Sequence, residues 1–394
     1  VQILSSNLVS NGDFSQEGVQ EVSNGSFSQE GAELVTNGSF ATDTDWTKGN
    51  DANINDSKAI ISSTVGDSWV LQSNKLTVGK SYKITLKVDS VTLEGGVAKF
   101  ALGTGADGNT YNITENGVFN FYFSNISFSS NWIQVFTNGD ASVTIDNVSV
   151  KEVGQDWVLQ NGWSIGNDVA IFSGTSSAYR KLYQENILTI GKIYKLTFDI
   201  ISINSGSIRN FSQSNPTSYS TVGTKTEYFT ASFDDLFLEP TTTADLTITN
   251  ISVKEVGQDW TLGSGWSIGE NKAESDGLSN YENIYQTVSP NLVVGNKYLV
   301  SFGLTVTSGA LRIRTDVGTY YPNVFNTSGN QSIELTLTNG SDFWFNSYSG
   351  FNGSITNISV IEITDDTNLP RINYEGFSYQ DSLGSELVTN GDFS

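Results

Sequence analysis

The sequence predicts an all-β protein built as a tandem array of three β-sandwich modules. The sequence Ser-Val-Lys-Glu-Val-Gly-Gln-Asp-Trp occurs at residues 149–157 and again at 252–260, about one small domain apart. A related strand recurs at residues 356–360. Segments such as residues 82–88 alternate apolar and polar side chains, as half-buried strands do. Tandem copies favour binding or scaffolding over catalysis, because repeated weak contacts add through effective concentration.

The 394 residues divide into five parts. These are an N-terminal segment of thirteen-residue repeats (1–32), β-sandwich modules 1 (33–153), 2 (154–256) and 3 (257–363), and a linker with the start of a further repeat (364–394). The short repeats carry Asn-Gly-x-Phe at residues 11–14, 24–27 and 37–40. Each has too little apolar surface to fold alone. We therefore expect each repeat to pack on a module, to pack on another chain, or to stay flexible.

Each module has the same internal order. A Trp-containing opening leads through a Gly/Asn turn and a strand to a Leu-x-x-Gly-x-x-Tyr segment, which predicts a hairpin with Gly at a positive φ. The module ends in a closing strand that begins at Asn147, Asn250 or Asn357, to which we assign a turn or edge role. The tryptophans at repeated positions predict core anchors; they are Trp46, Trp157, Trp260, Trp163 and Trp266.

Composition excludes several classes of site. The chain has 20 basic and 42 acidic residues, a net charge of −22, which repels phosphate backbones and anionic lipid. We expect no nucleic-acid partner and no membrane insertion, since no stretch approaches the ~18 apolar residues of a span. Cys and His are absent, which excludes thiolate and imidazole chemistry. Asp234-Asp235 and Asp365-Asp366 are typical of acidic turns, so we predict no enzyme.

Oxygen-bearing side chains at residues 51–56 are candidate calcium ligands. They alternate along the chain, but the Gly and the distal Glu of an EF-hand loop are missing. The corresponding segments of modules 2 and 3 are residues 165–168 and 268–271, which favours a hairpin turn. Asp107, Asn109 and Asp146 are further donors without diagnostic spacing, so no cofactor is assigned and a structural calcium stays open.

Sugar recognition needs flat aromatic faces and planar polar groups. Aromatic residues that differ between modules are better candidates than the repeated tryptophans; they are Trp69, Trp132, Tyr179, Tyr219, Tyr281, Tyr320, Tyr321 and Trp344. The densest group lies in module 3. There we predict a glycan-binding site on one sheet face, formed by Arg312, Arg314, Tyr320, Tyr321, Asn323 and Trp344.

The modules resemble a known family of binding domains. Residues 33–40, the following Asp45-Trp46, the Leu-x-x-Gly-x-x-Tyr segment and the closing strand at residues 145–150 resemble the carbohydrate-binding-like jelly-roll modules of the galactose-binding-like class. The resemblance covers residues 33–363 and implies jelly-roll modules; a related family often carries a structural calcium ion. Modules 2 and 3 lack the opening Asn-Gly-x-Phe, so their first strand is expected to be absent or borrowed from the preceding module.

A second resemblance concerns the whole chain. The repeated Asn-Gly-x-Phe units and residues 367–374 look like segments of bacteriophage tail-fibre and virion structural proteins. The leading hypothesis is therefore a non-enzymatic structural and adhesive protein of a phage tail fibre or similar virion appendage, at the virion surface or extracellular. Its expected partners are host surface glycans or polysaccharide, other virion proteins, and other copies of itself, as a trimer by the resemblance. A bacterial surface adhesin and a purely structural filament or spacer subunit are the alternatives.

Overall fold

The computed structural model describes residues 2–174 and 180–365, and all strand pairs in this part are antiparallel. The described residues form strands and turns without a helix, so none of them belongs to a helix that could cross a membrane. The chain is a tandem array of jelly-roll β-sandwich modules, which confirms the predicted fold class. Tyr179 and residues 366–394, with the predicted start of a further repeat, lie outside the described residues.

Three short strands precede the modules: β1 (Gln2–Asn7), β2 (Glu17–Gln20) and β3 (Glu30–Glu33). Module 1 contains β4 (Thr47–Lys48), β5 (Ala52–Asn55), β6 (Lys58–Ser63), β7 (Asp67–Ser73), β8 (Ser81–Leu93), β9 (Val97–Leu102), β10 (Thr110–Asn112), β11 (Gly117–Phe123), β12 (Trp132–Asn138) and β13 (Ala141–Val153). Its front sheet has the order β10-β9-β12-β7-β4, and its back sheet has the order β11-β8-β13-β6-β5.

Module 2 repeats this arrangement. It contains β14 (Val158–Leu159), β15 (Trp163–Gly166), β16 (Val169–Ser173), β17 (Leu182–Gln184), β18 (Ile193–Ser205), β19 (Ile208–Asn210), β20 (Ser218–Tyr219), β21 (Gly223–Thr230), β22 (Leu236–Pro240) and β23 (Asp245–Val256). The front sheet is β14-β17-β22-β19-β20, and the back sheet is β15-β16-β23-β18-β21.

Module 3 has fewer, longer strands. It contains β24 (Thr261–Leu262), β25 (Trp266–Gly269), β26 (Lys272–Asp276), β27 (Asn283–Tyr285), β28 (Lys297–Thr315), β29 (Tyr320–Phe325), β30 (Gly329–Thr336) and β31 (Phe343–Asp365). β28 and β31 run through both layers, so the front sheet is β24-β27-β31-β28-β29 and the back sheet is β25-β26-β31-β28-β30.

Each N-terminal repeat docks on one module. The order is reversed, so that the first repeat in the sequence docks on the last module. β3 pairs with the closing strand β13 of module 1, β2 with β23 of module 2, and β1 with β31 of module 3. Residues 2–14, 17–27 and 30–40 are therefore called the first, second and third docking units. Residues 1–32 are divided among the modules, so the described chain forms two compact units, residues 2–15 with 259–365 and residues 16–258. The expectation that modules 2 and 3 borrow a strand from the preceding module, or lack one, is wrong.

The Phe of each docking unit completes a module core. Phe27 packs 5.3 Å from Trp157 between ring centroids, and Phe14 and Phe40 make the same contact with Trp260 and Trp46. The indole N–H of each Trp donates to the carbonyl of the Asn in Asn-Gly-x-Phe, at 3.0 Å in all three modules. All five repeated tryptophans are buried, which confirms the prediction of core anchors.

A buried Gln holds the residue before each Asn-Gly. The side-chain amide of Gln184 accepts from the backbone N–H of Ser23 at 3.1 Å and donates to its carbonyl at 2.6 Å. Gln72 and Gln286 hold the other two units in the same way. Each buried amide thereby satisfies both its donor and its acceptor, which a buried polar group requires.

The closing strand forms a bulge where the docking unit meets it. Asn250 has a φ of 54°, and the register between β18 and β23 shifts next to it. The following N–H, of Ile251, donates to the carbonyl of Gly25 at 2.9 Å. A Cβ on Gly25 would overlap the carbonyl oxygen of Ile251, so this position requires Gly. Asn147 and Asn357 occupy the equivalent bulges of modules 1 and 3. We predicted a turn or edge role for these asparagines, but they lie inside the closing strand.

One position distinguishes the first docking unit from the other two. Glu30 binds Lys83 at 2.5 Å and Lys151 at 2.9 Å. Glu17 binds the corresponding Lys195 and Lys254 in module 2. The equivalent position of the first docking unit is Leu4, and the corresponding strand positions of module 3 are Leu299 and Ile361. Glu17 and Glu30 therefore match the basic strand pairs on which the second and third units dock.

Two local predictions can be compared with the structure. Residues 51–56 end in a two-residue turn, with Asp56 and Ser57 both at positive φ between β5 and β6, which confirms the hairpin turn. The Leu-x-x-Gly-x-x-Tyr segments were predicted to be hairpins, and this is wrong. Each segment instead joins a front-sheet strand to a back-sheet strand. Within it the buried Tyr hydroxyl accepts a hydrogen bond from the N–H five residues earlier, as Tyr82 does from Thr77 at 2.8 Å.

We predict that Phe27→Ala weakens the docking of the second unit. Removing a buried ring costs about 3–5 kcal/mol. Hydrogen exchange of the full chain should accelerate in peptides from β2 and β23, with β28 and β31 unchanged, and the exposed Ser28→Ala is the matched control. Exchange in β23 at the wild-type rate in Phe27→Ala would contradict this role.

We also predict that acid loosens the third docking unit through Glu30. Hydrogen bonds from Lys83 and Lys151 hold the pKa of Glu30 below its usual value. A carboxylate with a lowered native pKa stabilises the fold above its unfolded pKa, and this contribution is lost as pH falls through the native value. The exchange rate of β13 should therefore depend less on pH below about 4.5 in Glu30→Gln than in wild type. Equal pH dependence in Glu30→Gln and in the exposed control Glu115→Gln would refute the assignment.

Candidate functional site

The outer face of the front sheet is the candidate site in every module. Its strands alternate, so that Val70 and Val135 point into the core of module 1 while Trp69 and Phe136 point outward. The three modules can be aligned on the Gln that holds the docking unit in each of them. In this alignment the outward pair Leu71–Gln134 of module 1 corresponds to Tyr183–Phe237 in module 2 and to Tyr285–Trp344 in module 3.

Module 1 carries an open cleft of about 630 Å³ on this face. Its lining includes Asp67, Trp69, Leu71, Trp132, Gln134 and Phe136. Trp69 pairs in register with Phe136, and Trp132 pairs with Ser73, so the two indoles lie four strand positions apart, or ~14 Å. The cleft is therefore long and aromatic at both ends, with Leu71 and Gln134 between them.

Close backbone contacts fix the rings of this cleft. Gly49 lies against the indole of Trp69, where an added Cβ would come within 2.6 Å of the ring. A Cβ added to Gly105 would likewise come within 2.8 Å of the edge of the Phe136 ring. The buried amide of Gln134 donates to the carbonyl of Gly103 at 2.7 Å. A fixed aromatic wall beside a fixed amide is the arrangement with which proteins bind the apolar face and the hydroxyls of a sugar.

Module 3 brings four of the six predicted site residues together. Arg312 lies 4.6 Å from the ring centroid of Tyr320, and Arg314 lies 5.6 Å from the same ring and 5.0 Å from Trp344. Trp344 in turn stacks on Tyr285 at 4.0 Å. The face is therefore cationic and aromatic, unlike the cleft of module 1.

The other two predicted residues lie elsewhere. Tyr321 packs 5.7 Å from Phe343, its hydroxyl donates to the carbonyl of Thr336, and burial raises its pKa. It points away from Arg312 because adjacent residues of a strand face opposite sides. Asn323 is exposed at the register shift of β29. The prediction of a single face for all six residues is therefore wrong for Tyr321.

Module 2 fills the same face with paired groups. The ammonium of Lys181 lies 4.1 Å from the ring centroid of Phe237 and 4.6 Å from that of Phe211. Arg209 lies over Phe211 and donates to the carboxylate of Glu239 at 3.0 Å and 2.5 Å. Arg209 thus has an anionic partner within the protein.

Sequence reasoning missed several residues of these faces. Gln134 and Phe136 in module 1, and Asn346 and Tyr348 in module 3, were not among the candidates. The signal was present as period-two patterns, Trp132-x-Gln134-x-Phe136 and Trp344-x-Asn346-x-Tyr348. Such a pattern places one set of side chains on one face of a strand.

Among the described residues, no cluster of three or more acidic side chains is arranged to hold a metal ion. Asp107 instead accepts from the backbone and hydroxyl of Thr104 and from the N–H of Ser129, and Asp146 binds Lys87 at 3.0 Å. Asp235 accepts from the N–H of Asn186 at 2.8 Å, a contact between distant parts of module 2.

No protein-family model and no curated protein matches the chain. Among solved structures, the chain is similar to the N-terminal CBM22-1–CBM22-2 tandem domain of Paenibacillus barcinonensis Xyn10C, with 10% identity, a TM-score of 0.24 and coverage of 58% of this chain and 99% of that one. It is also similar to a chain of Sulfolobus Turreted Icosahedral Virus, with 14% identity, a TM-score of 0.19 and coverage of 81% and 90%. A third similarity is to an archaeal virus protein with a triple jelly-roll fold, at 14% identity, a TM-score of 0.20 and coverage of 81% and 89%. TM-scores this low support no conclusion about function. The functional proposal below rests on the geometry of the front sheets.

Proposed function

We propose that this chain is a non-enzymatic, multivalent glycan-binding structural protein. The observation that carries the proposal is the cleft of module 1, where Trp69, Trp132 and Phe136 surround the buried amide of Gln134. Aromatic faces bind the C–H surface of a sugar, and the amide supplies directional hydrogen bonds. Equivalent aromatic faces in modules 2 and 3 support several contacts by one chain.

The same architecture favours a role in an extended surface assembly. Three binding faces on one chain raise the effective concentration of each for a repeating polysaccharide, so weak single contacts sum to firm attachment. We propose that the chain serves as an adhesive part of a phage tail fibre or similar virion appendage, outside the cell. A bacterial surface adhesin would use the same faces and is distinguished by labelling purified virions and uninfected cells with antibodies to the modules.

A spacer without ligands is the second candidate. It is favoured by the docking units, because they complete each module with strands and account for much of the repetition without any glycan. Under this candidate the aromatic residues of the front sheets would contribute to stability alone. The binding experiment below separates the two roles.

We predict that Trp69→Ala and Trp132→Ala each weaken binding of a neutral oligosaccharide, identified by glycan array with the full chain, by at least tenfold. Loss of one central aromatic contact removes ~1.4 kcal/mol or more. Titration calorimetry measures the change, and Val118→Ala, an exposed apolar side chain of β11 in the back sheet, is the control. If the wild-type chain binds no glycan on the arrays and no surface polysaccharide, the result would support the spacer instead.

A further inference from the structure

One cross-strand pair occupies the same place in all three front sheets. It lies two positions beyond the outward pairs aligned above, and its members are Lys99–Phe136 in module 1, Arg209–Glu239 in module 2 and Arg312–Asn346 in module 3. One member of the pair is a cation in every module, whereas the other is an apolar Phe in module 1, an acidic Glu in module 2 and a neutral polar Asn in module 3. The three modules therefore form an internal series at a single position.

Module 2 shows where an anion sits in this frame. The carboxylate of Glu239 is buried, with 4% of the side chain exposed, and accepts two hydrogen bonds from Arg209. A buried carboxylate is stable there because it has a cationic partner and charge-assisted hydrogen bonds.

Module 3 keeps the arginine and replaces the acid. Among the ion pairs of the described residues none includes Arg312 or Arg314, although the chain has a net charge of −22. Rings hold the guanidinium of Arg312 instead, with the centroid of Tyr348 at 3.6 Å and that of Tyr320 at 4.6 Å. A cation so placed is oriented but not neutralised.

Three buried polar atoms of this face lack a hydrogen-bond partner. They are Nε of Arg312, Nε1 of Trp344 and Oδ1 of Asn346, and the side chain of Asn346 is fully buried. Unsatisfied buried polar groups are rare in folded proteins and need an explanation. Two of these atoms are donors and one is an acceptor, so a ligand that satisfies them offers acceptor oxygens together with a hydroxyl donor.

We propose that the front sheet of module 3 binds an acidic sugar, whose carboxylate pairs with Arg312 as the carboxylate of Glu239 pairs with Arg209 in module 2. This inference rests on the proposed glycan-binding function and names a ligand class for one of its faces. The planar carboxylate pairs with the guanidinium of Arg312, and hydroxyls of the sugar meet Asn346 and Trp344. Tyr281 and Tyr320, 56% and 41% exposed, rotate aside to admit the ring and then pack on it.

The test measures binding of the full chain to polygalacturonate, to dextran sulfate and to neutral dextran at one ionic strength, by affinity electrophoresis and calorimetry. We expect polygalacturonate to bind and both dextrans to bind at least tenfold more weakly. Asn346→Glu places the module 2 acid beside Arg312, and we expect it to reduce polygalacturonate binding at least tenfold. Arg312→Gln removes the cation and should have the same effect, with hydrogen exchange of β28 unchanged in both variants.

A gain of binding provides the complementary test. Glu239→Asn recreates the module 3 pair in module 2. We expect it to add a polygalacturonate site, seen as a higher stoichiometry, and to restore binding to a chain that already carries Asn346→Glu. Restoration cannot arise from loss of folding.

The outcomes separate the two proposals. If Asn346→Glu and Arg312→Gln leave polygalacturonate binding unchanged, or if dextran sulfate binds as tightly as polygalacturonate, the acidic-sugar site is refuted. Glycan binding that Trp69→Ala still removes then leaves the proposed function standing. If no glycan binds the wild-type chain, both proposals fail together.

Discussion

The structure depends on the docking of one Asn-Gly-x-Phe unit on the closing strand of each module. The unit supplies a strand, a Phe for the core and a carbonyl for the buried indole N–H, as Phe27 and Asn24 do for Trp157. Without it the outer half of the closing strand would be an unpaired edge, and the indole would be a buried donor without an acceptor. The bulge at Asn250 and the missing Cβ at Gly25 make this approach possible.

The reversed order of docking slows folding, and it requires side-chain contacts that select the correct module for each unit. A unit near residue 7 bonds with residue 360, so its loop closes only after most of the chain has been made. Loop-closure entropy grows slowly with length, but non-local strand pairing is slow. Because the three units share their anchoring groups, correct pairing needs a distinguishing contact. Glu17 and Glu30 supply one that separates modules 1 and 2 from module 3, since a Glu placed between the apolar Leu299 and Ile361 would lose its lysine partners.

The sequence predicted those features that local chemistry determines. The strand periodicity, the two-residue turn at residues 56–57 and the buried tryptophans follow from side-chain pattern and turn preference. The closing strand with which each docking unit pairs could not be predicted, because the Asn-Gly-x-Phe motifs are alike and do not indicate their partner strand. The connection ending at Tyr82 was misread since a Gly turn before a strand is shared by hairpins and by crossings between sheets. Four residues of the module 3 face were found, whereas Asn346 was missed because it is buried and has no aromatic ring.

The division between constant and variable positions argues for a separation of tasks within each module. Contacts that hold the docking unit are the same three times, down to the 3.0 Å indole hydrogen bond. The outward positions of the front sheet change in size and charge on that fixed frame. An interface that completes the core tolerates little change, because interiors are close-packed. A surface that only supported the fold would have no reason to hold the half-buried Arg312 among tyrosines without a counter-ion. A surface that receives a ligand would, since the ligand then provides the missing charge.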